Sequence, residues 1–230
     1  MSTRSQNNMA VTLLLLTLNE IDGMKLIMPR VKPEWVEEIL VMDGGSTDGT
    51  VEYAKTQGYR VMKQKMEGVT AAYWEGVEAA QGDVVIAFSP DGNSVPERIP
   101  ELIDKMRLGF DMVIVSRYLE GAKSEDDDPV TAFGNRLFTG MINIFFGGHY
   151  TDTLVIFRAW RKTLLPMLKK NLSRAGLETQ LSILCAKRKL KVAEIPGDEP
   201  KRIGGIRKMS PILNGSAVLV MIIQELFSPR

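Results

Sequence analysis

Residues 84–97 read VVIAFSPDGNSVPE, and this stretch indicates both a buried sheet and a candidate ligand site. The apolar run 84–87 has the length of a fully buried strand. Asp91 and Asn93 follow two residues apart, and Gly92 between them lets the backbone bend so that both side chains can point the same way. Their oxygens suit a hard divalent cation bridged to a diphosphate. The same residues also suit an Asx-type turn before a helix.

Strands and helices alternate on both sides of this stretch. Short apolar runs predict strands, and segments with apolar residues every three or four positions predict helices between them. The strands are expected at 11–18, 37–42, 59–63, 84–87, 111–116, 153–158 and 191–195. This order predicts a Rossmann-like α/β fold, a three-layer αβα sandwich around a mostly parallel central sheet. In such a sheet, ligands bind at the carboxyl ends of the strands.

The chain of 230 residues has 44% apolar and 25% charged residues, which is typical of one folded domain with a sizeable core. Its net charge of +1 gives no reason to expect nucleic-acid binding. The single cysteine, Cys185, excludes an intramolecular disulfide and is typical of a cytoplasmic protein. No segment reaches the ~18 to 20 apolar residues of a membrane span, and the apolar run 217–223 fits a core helix or an interfacial one. Residues 1–9 are polar and are expected to be disordered.

Four motifs occur in a fixed order in the first half of the chain. They are TLNE at 17–20, VMDGGSTDGT at 41–50, the pair Lys65 and Gly68, and SPDGN at 89–93. Together they resemble the family 2 inverting glycosyltransferases with the GT-A fold, and within them the dolichol-phosphate mannose synthase-like branch. The resemblance covers roughly residues 10–210. It implies a single GT-A domain over 1–230, with an acceptor loop and a C-terminal helix in 203–230.

The resemblance implies that the donor is a nucleoside-diphosphate sugar, either GDP-mannose or UDP-glucose. The residues implied to contact the nucleotide are Thr17, Leu18, Asn19, Glu20, Asp43, Gly44, Lys65, Gly68 and Pro90. Considered by its position alone, Asp43 has two possible roles. Its carboxylate ends a buried strand, where it can accept hydrogen bonds from a base, or it can cap the turn through Gly44 and Gly45.

The metal motif departs from the pattern of that branch. The branch carries Asp-x-Asp, and Ser89 stands at the position of the first aspartate while Asp91 matches the second. The resemblance therefore implies Mg²⁺ or Mn²⁺ held by Asp91 and Asn93. Because Ser89 is neutral, the cation would depend more on the oxygens of the diphosphate.

Basic residues in the second half lie in contexts similar to those of the mannose synthases. Arginine suits bidentate phosphate recognition, although each of these arginines could also be an ordinary surface residue. The residues implied to bind the acceptor or a phosphate are Arg117, Arg136, Asp152, Arg202 and Lys208.

The acidic run 125–128 is expected to be an exposed loop.

The resemblance implies transfer of a hexose, mannose or glucose, to a polyprenyl phosphate such as dolichyl phosphate, in one displacement with inversion. Asp91 and its cation would neutralise the leaving nucleoside diphosphate, with help from Arg202 or Lys208. Arg117 and Arg136 would hold the acceptor phosphate. A lipid acceptor would place the enzyme peripherally on the cytoplasmic face of a membrane, with residues 203–227 as candidate docking elements.

Two other functions stay open from the sequence. Glu178 opens a predicted helix at the place where many members of the family carry an acidic base. It could therefore activate a hydroxyl of a soluble or glycan acceptor, or it could be a first-turn acid favoured by the helix dipole. A phosphate acceptor is already ionised and needs no base. Ser89 in the metal motif also fits a catalytically silent protein that binds a nucleotide sugar.

Overall fold

The computed structural model describes residues 9–169, 175–203 and 210–228. The strands are β1 (Val11–Thr17), β2 (Glu38–Asp43), β3 (Arg60–Lys63), β4 (Val84–Phe88), β5 (Met112–Ser116), β6 (Arg158–Arg161) and β7 (Val192–Pro196). They form one sheet in the order β3-β2-β1-β4-β6-β5-β7. Neighbouring strands run parallel except at β6, which is antiparallel to both β4 and β5.

Helices cover both faces of this sheet. They are α1 (Ile21–Ile27), α2 (Thr50–Thr56), α3 (Val69–Ala79), α4 (Ile99–Arg107), α5 (Pro129–Phe146), α6 (Leu177–Arg188) and α7 (Pro211–Leu226). Along β4, Val85 and Ala87 face the apolar layer that contains α3, α5, α6 and α7. Ile86 and Phe88 face the opposite layer, which contains α1, α2 and α4. All of β4 is buried because both of its faces are covered, which confirms the predicted αβα sandwich.

The prediction of a strand over 153–158 is wrong, because β6 begins only at Arg158. Asp152 Oδ1 accepts hydrogen bonds from the backbone N–H groups of Leu154 and Val155, each at 3.2 Å. A carboxylate therefore satisfies backbone donors that a neighbouring strand would otherwise satisfy. The apolar residues 153–157 form a loop for this reason, and their composition alone does not distinguish it from a strand.

The prediction of an exposed loop over 125–128 is wrong for Asp127. Its side chain is 6% exposed and accepts a hydrogen bond from the Tyr118 hydroxyl. Asp128 is exposed, but it is the N-cap of α5, since its Oδ1 accepts from the N–H groups of Val130 and Thr131 at 2.9 and 3.0 Å. Within the acidic run, Asp127 is therefore a buried partner of Tyr118, and Asp128 caps a helix.

Two of the predicted features fall on parts of the chain that the structure leaves undescribed. The expected disorder at the amino terminus concerns residues 1–9, of which 1–8 lie outside the described residues, and Lys208 lies in 204–209. Among the described residues, no helix combines the length and the apolar character that crossing a membrane requires.

Candidate active site

Three loops meet at the carboxyl-end edge of the sheet. β1 lies between β2 and β4, and its register places Thr17 beside Asp43 and Leu15 beside Phe88. The loops that leave these three strands therefore open side by side. They carry the motifs at 17–20, 43–50 and 89–93 to one edge, as the parallel sheet predicts.

Asp43, at the end of β2, caps the turn that follows it. Its Oδ2 accepts hydrogen bonds from the backbone N–H groups of Gly45 at 2.7 Å and Ser46 at 2.9 Å. Its Oδ1 accepts from the hydroxyls of Ser46 at 2.5 Å and Thr17 at 3.2 Å. A carboxylate has about four acceptor positions, so all of them are in use. Contact between this buried side chain and a base stays a prediction, and the long bond from Thr17 is the one that such a contact would most easily replace.

The loop after β1 is tied to the loop after β2. Asn19 adopts the left-handed conformation, with φ of 57°, which asparagine tolerates better than most residues. Its Oδ1 accepts from the Thr47 N–H at 2.8 Å, and its own N–H donates to Ser46 Oγ at 2.8 Å. The Glu20 N–H donates to Thr50 Oγ1 at 2.9 Å. Leu18 and Asn19 are exposed at the mouth, whereas Thr17 and Glu20 are buried beneath it.

The remaining nucleotide candidates lie around the same edge. Gly44 is half-buried, and its N–H donates to the Thr17 carbonyl at 2.9 Å. Lys65 and Gly68 are exposed in the loop between β3 and α3. The loop is held by Glu75, whose carboxylate accepts a hydrogen bond from the Lys65 backbone N–H at 2.7 Å. Pro90 is buried in the loop after β4.

Asp91 is a buried carboxylate paired with an arginine. It is 2% exposed, and Arg202 Nη1 lies 2.7 Å from its Oδ2. Its Oδ1 accepts from the Asn93 N–H at 3.3 Å, which is the Asx-type turn, and its carbonyl accepts from the Ile203 N–H at 2.7 Å. Asp91 thus forms both the turn to Asn93 and the ion pair with Arg202. The segment that contains Arg202 and Ile203 packs directly against this turn.

Two glycines allow the close packing around Asp91. A Cβ on Gly23 of α1 would lie 2.1 Å from the Pro90 carbonyl oxygen, so only glycine lets α1 approach the loop this closely. Gly92 has φ of +90°, and a Cβ there would lie 2.5 Å from Ile203 Cδ1. The Asp91 turn is thus fixed between α1 on one side and Ile203 on the other.

The side chains at this turn fit a divalent cation shared with a ligand, though not one held by protein alone. Among the described residues no group of three or more His, Cys, Asp or Glu side chains could hold a metal. Asp91 and Asn93 supply hard oxygen donors of the kind that Mg²⁺ and Mn²⁺ take together with substrate phosphates. Within the described part of the chain, Arg202 Nε is buried without an acceptor. A phosphate oxygen would satisfy it.

Arg117, just after β5, is surrounded by carboxylates. Its Nε and Nη2 donate to the two oxygens of Asp152 at 2.7 and 3.1 Å, and its Nη1 donates to Glu199 at 3.2 Å. Asp127 lies 3.7 Å from the same Nη1. Burial lowers the pKa of the guanidinium, but Asp152 and Glu199 outweigh it, so the pKa stands above its ordinary value. These contacts leave at least one of the five guanidinium N–H groups, on Nη2, for a ligand.

Tyr118 holds two of the predicted arginines on one ring. The guanidinium carbons of Arg117 and Arg136 lie 5.2 and 5.5 Å from the ring centroid. The hydroxyl of Tyr118 donates to Asp127 and accepts from Asn135 Nδ2 at 2.8 Å. Arg136 is itself exposed, so this stacking is what brings its charge beside Arg117.

Two glutamates around the Arg117–Asp152 pair lie outside every motif that the sequence analysis recognised. Glu194 of β7 accepts from the N–H groups of Thr151 and Asp152 and so fixes the Asp152 backbone. Burial raises the pKa of Glu194 despite these bonds. Glu199, which pairs with Arg117, stands three residues before Arg202. That spacing was the one available signal for it.

Glu178, the candidate base, lies at the first turn of α6. Its carboxylate folds back over Gly176, where a Cβ would lie 1.9 Å from Oε1. Burial raises the pKa of Glu178 to about 6, although the bond from its own N–H and the charge of Arg158 both act to lower it. It would be largely ionised at neutral pH and could accept a proton there.

The model of the family described as "Glycosyl transferase family 2" matches residues 33–166. "Glycosyltransferase AglJ" of Haloferax volcanii is 30% identical over 217 residues, which cover 92% of this chain and 70% of that protein. "Dolichyl-phosphate hexose transferase" of the same organism is 30% identical over 193 residues, 84% of this chain and 82% of that one.

A solved structure shares the fold. Glucosyl-3-phosphoglycerate synthase of Mycobacterium tuberculosis, crystallised with Mn²⁺, UDP and glucosyl-3-phosphoglycerate, superposes with a TM-score of 0.75. The match covers 98% of this chain and 82% of that one at 20% identity. At that identity the likeness establishes the GT-A architecture of the sheet and its helices.

Proposed function

The chain belongs to glycosyl transferase family 2, and from that premise we propose that it transfers a hexose from a nucleoside-diphosphate sugar to a polyprenyl phosphate. Mannose from GDP-mannose is the favoured hexose, with glucose from UDP-glucose next. The loops after β1 and β2 would bind the nucleotide. Asp91 and Asn93 would hold Mg²⁺ or Mn²⁺, which neutralises the diphosphate when bound.

The observation that supports this most is the short segment from Glu199 to Arg202. Glu199 binds Arg117, and Arg202 binds Asp91. The backbone from Glu199 to Arg202 spans at most about 10 Å. One short segment therefore links the carboxylate proposed for the donor cation to the arginine proposed for the acceptor, which favours direct transfer from donor to acceptor.

The reaction needs no protein base. An ionised oxygen of the acceptor phosphate forms the new bond to the anomeric carbon, and the bond from that carbon to the diphosphate oxygen breaks on the opposite side. The nucleoside diphosphate leaves with the electron pair. Arg202 would donate hydrogen bonds to the leaving phosphate, since among the described residues its buried Nε has no acceptor.

The charge around Arg117 limits how the acceptor can bind. Arg117 and Arg136 carry two positive charges, while Asp127, Asp152 and Glu199 carry three negative ones. The side chains named here therefore carry a net charge of −1, which weakens the attraction of this pocket for a phosphate.

A membrane surface is proposed as the place where the lipid is met. α5 and α7 pack together, and their outer side, here called the α5–α7 apolar face, exposes many apolar side chains. They are Val130, Phe133, Leu137, Ile144, Phe145, Ile212, Leu213, Leu219, Val220, Ile223, Leu226 and Phe227. No charged residue occurs in 211–224. A face this apolar is typical of a protein that lies on a bilayer or a partner.

A second candidate is transfer to a sugar hydroxyl. The pKa of about 6 for Glu178 favours it, because an acceptor hydroxyl must lose its proton as the bond forms. With a hydroxyl acceptor, Glu178→Gln should abolish most of the transfer. With a phosphate acceptor the same substitution should leave the rate within a few-fold of wild type.

A transfer assay separates these candidates. Labelled GDP-mannose and UDP-glucose are incubated with the protein, with Mn²⁺ or EDTA, and with or without dolichyl phosphate in detergent. Lipid-linked sugar that disappears with EDTA and in Asp91→Ala is the expected result. Nucleotide binding without lipid-linked product, under every donor and metal condition, would overturn the proposal and leave the hydroxyl acceptor or a silent binding protein.

A further inference from the structure

Arg158, the first residue of β6, is a fully buried arginine. It is 0% exposed. Its charge acts on the buried carboxyl of Glu178, whose pKa burial raises and Arg158 acts to lower. Burying a charged pair is costly, and packed apolar residues would fill the same space more cheaply. Unlike an apolar side chain, however, the guanidinium supplies directional hydrogen bonds.

The guanidinium binds two separate segments of the chain. Its Nε donates to the Val155 carbonyl at 3.0 Å, and its Nη2 donates to the Thr153 carbonyl at 3.1 Å. Its Nη1 donates to the Glu178 carbonyl and to Ser182 Oγ, each at 2.9 Å. One side of the planar fork thus holds the loop after Asp152, and the other side holds the first turn of α6.

Each segment lies beside an acidic residue of the candidate site. Asp152 precedes the first and binds Arg117 through both oxygens. Glu178 is the second residue of the other. Residues 153–157 form a loop and not a strand, so few hydrogen bonds to neighbouring strands hold them. Arg158 and Asp152 together fix the path of this loop instead. A shift of the loop relative to α6 would move Asp152, and Arg117 with it.

We propose that Arg158 is a positioning residue for acceptor binding: its guanidinium fixes the distance between the Asp152–Arg117 pair and the start of α6. This rests on the proposed function. Its effect reaches the acceptor side and leaves the nucleotide loops unaffected, because the hydrogen bonds of Arg158 reach none of the residues at 17–20, 43–50 or 89–93 that the structure describes. Lysine keeps the charge but cannot bind both segments at once.

The test compares Arg158→Lys with wild type in acceptor and donor binding. We expect the KM for dolichyl phosphate to rise about ten-fold, since small displacements of a binding group have effects of this order. The KM for the donor should stay within two-fold. Arg161→Lys on the same strand is the matched control, because Arg161 is partly exposed and lies 3.7 Å from Asp111; it should change neither constant.

Binding measured by calorimetry gives a readout without turnover. The Kd of a short-chain prenyl phosphate should rise about ten-fold in Arg158→Lys, while the Kd of the nucleoside diphosphate with Mn²⁺ stays unchanged. If Arg158→Lys does not fold, Ser182→Ala removes one acceptor of the fork and should raise the acceptor constant alone, about two- to three-fold.

The outcomes are separable from those of the proposed function. Absence of lipid-linked product in wild type overturns the proposed function, whereas the Kd comparison with the short-chain prenyl phosphate tests the role of Arg158 without turnover. An acceptor constant within two-fold of wild type in Arg158→Lys overturns the inference. So does an equal rise in the donor and acceptor constants, which would indicate a general loss of structure.

Discussion

The ion pair between Arg202 and Asp91 should make an unusually large contribution to the stability of the ligand-free protein. The two atoms lie 2.7 Å apart, with the arginine side chain 26% exposed and the aspartate side chain 3% exposed. Arg202→Met keeps the apolar part of the side chain but leaves the carboxylate without a counter-charge. Removing one partner of a fully buried pair costs about 3–5 kcal/mol. Because water reaches the arginine side, we expect a loss of about 2–3 kcal/mol.

That loss corresponds to a measurable change in melting temperature. For a protein of 150–250 residues, about 1 kcal/mol shifts Tm by roughly 2–4 °C, so Arg202→Met should melt about 4–12 °C below wild type in EDTA. Arg30→Met is the matched control. Arg30 and Glu97 are also 2.7 Å apart, but their side chains are 46% and 51% exposed. Such a surface pair contributes about 0–1 kcal/mol, so its loss should shift Tm by less than about 4 °C.

Differential scanning calorimetry of wild type, Arg202→Met and Arg30→Met in EDTA measures both shifts. Equal melting of Arg202→Met and Arg30→Met would refute the reasoning.

Three further perturbations test other parts of the site. Burial raises the pKa of Glu178 from 4.5 to about 6, so its contribution to stability is full below pH 4.5 and is lost as the pH rises through 6. Glu178→Gln should therefore be more stable than wild type at pH 8 by about 1–2 kcal/mol and nearly equal at pH 4.5, as urea unfolding would show. Asp43→Ala should weaken UDP or GDP binding at least about ten-fold by calorimetry, while Ser46→Ala, which removes only one of the bonds to Asp43, should weaken it less. Replacing Ile212 and Phe227 by glutamate should abolish sedimentation with anionic vesicles and leave nucleotide binding unchanged; unaltered sedimentation would exclude the α5–α7 apolar face as the membrane contact.

Local signals explain why the donor side of the fold was predictable. A strand such as β4 needs only an apolar run of the right length, and the turn after it needs Asp91, Gly92 and Asn93, all within ten residues. Parallel packing then places the ends of β1, β2 and β4 side by side without further information. The position of Asp91 therefore followed from the sequence. Its partner Arg202, which is 111 positions away, did not, because nothing local indicates which distant cation neutralises a buried carboxylate.

The acceptor side was harder to predict for a related reason. The arginines at 117 and 136 are recognisable from their neighbours in sequence, yet the carboxylates that surround Arg117 come from three separate segments, two of them distant in sequence. Asp127 was assigned to an exposed loop because a run of acidic residues usually is one. Composition cannot reveal that one member of the run turns inward to a tyrosine hydroxyl.

The error at 153–158 and the omission of Arg158 have the same cause. An apolar run reads as a strand when its backbone groups are assumed to find partners in a sheet. Here side chains supply those partners, Asp152 for the N–H groups of Leu154 and Val155 and Arg158 for the carbonyls of Thr153 and Val155. An arginine at the end of an apolar run looks like the polar boundary of a strand, whereas in the folded chain it is buried and holds the loop in place. Where charged side chains satisfy the backbone groups, an apolar run no longer predicts a strand. In this chain such a segment lies next to the candidate site, where the regular sheet ends.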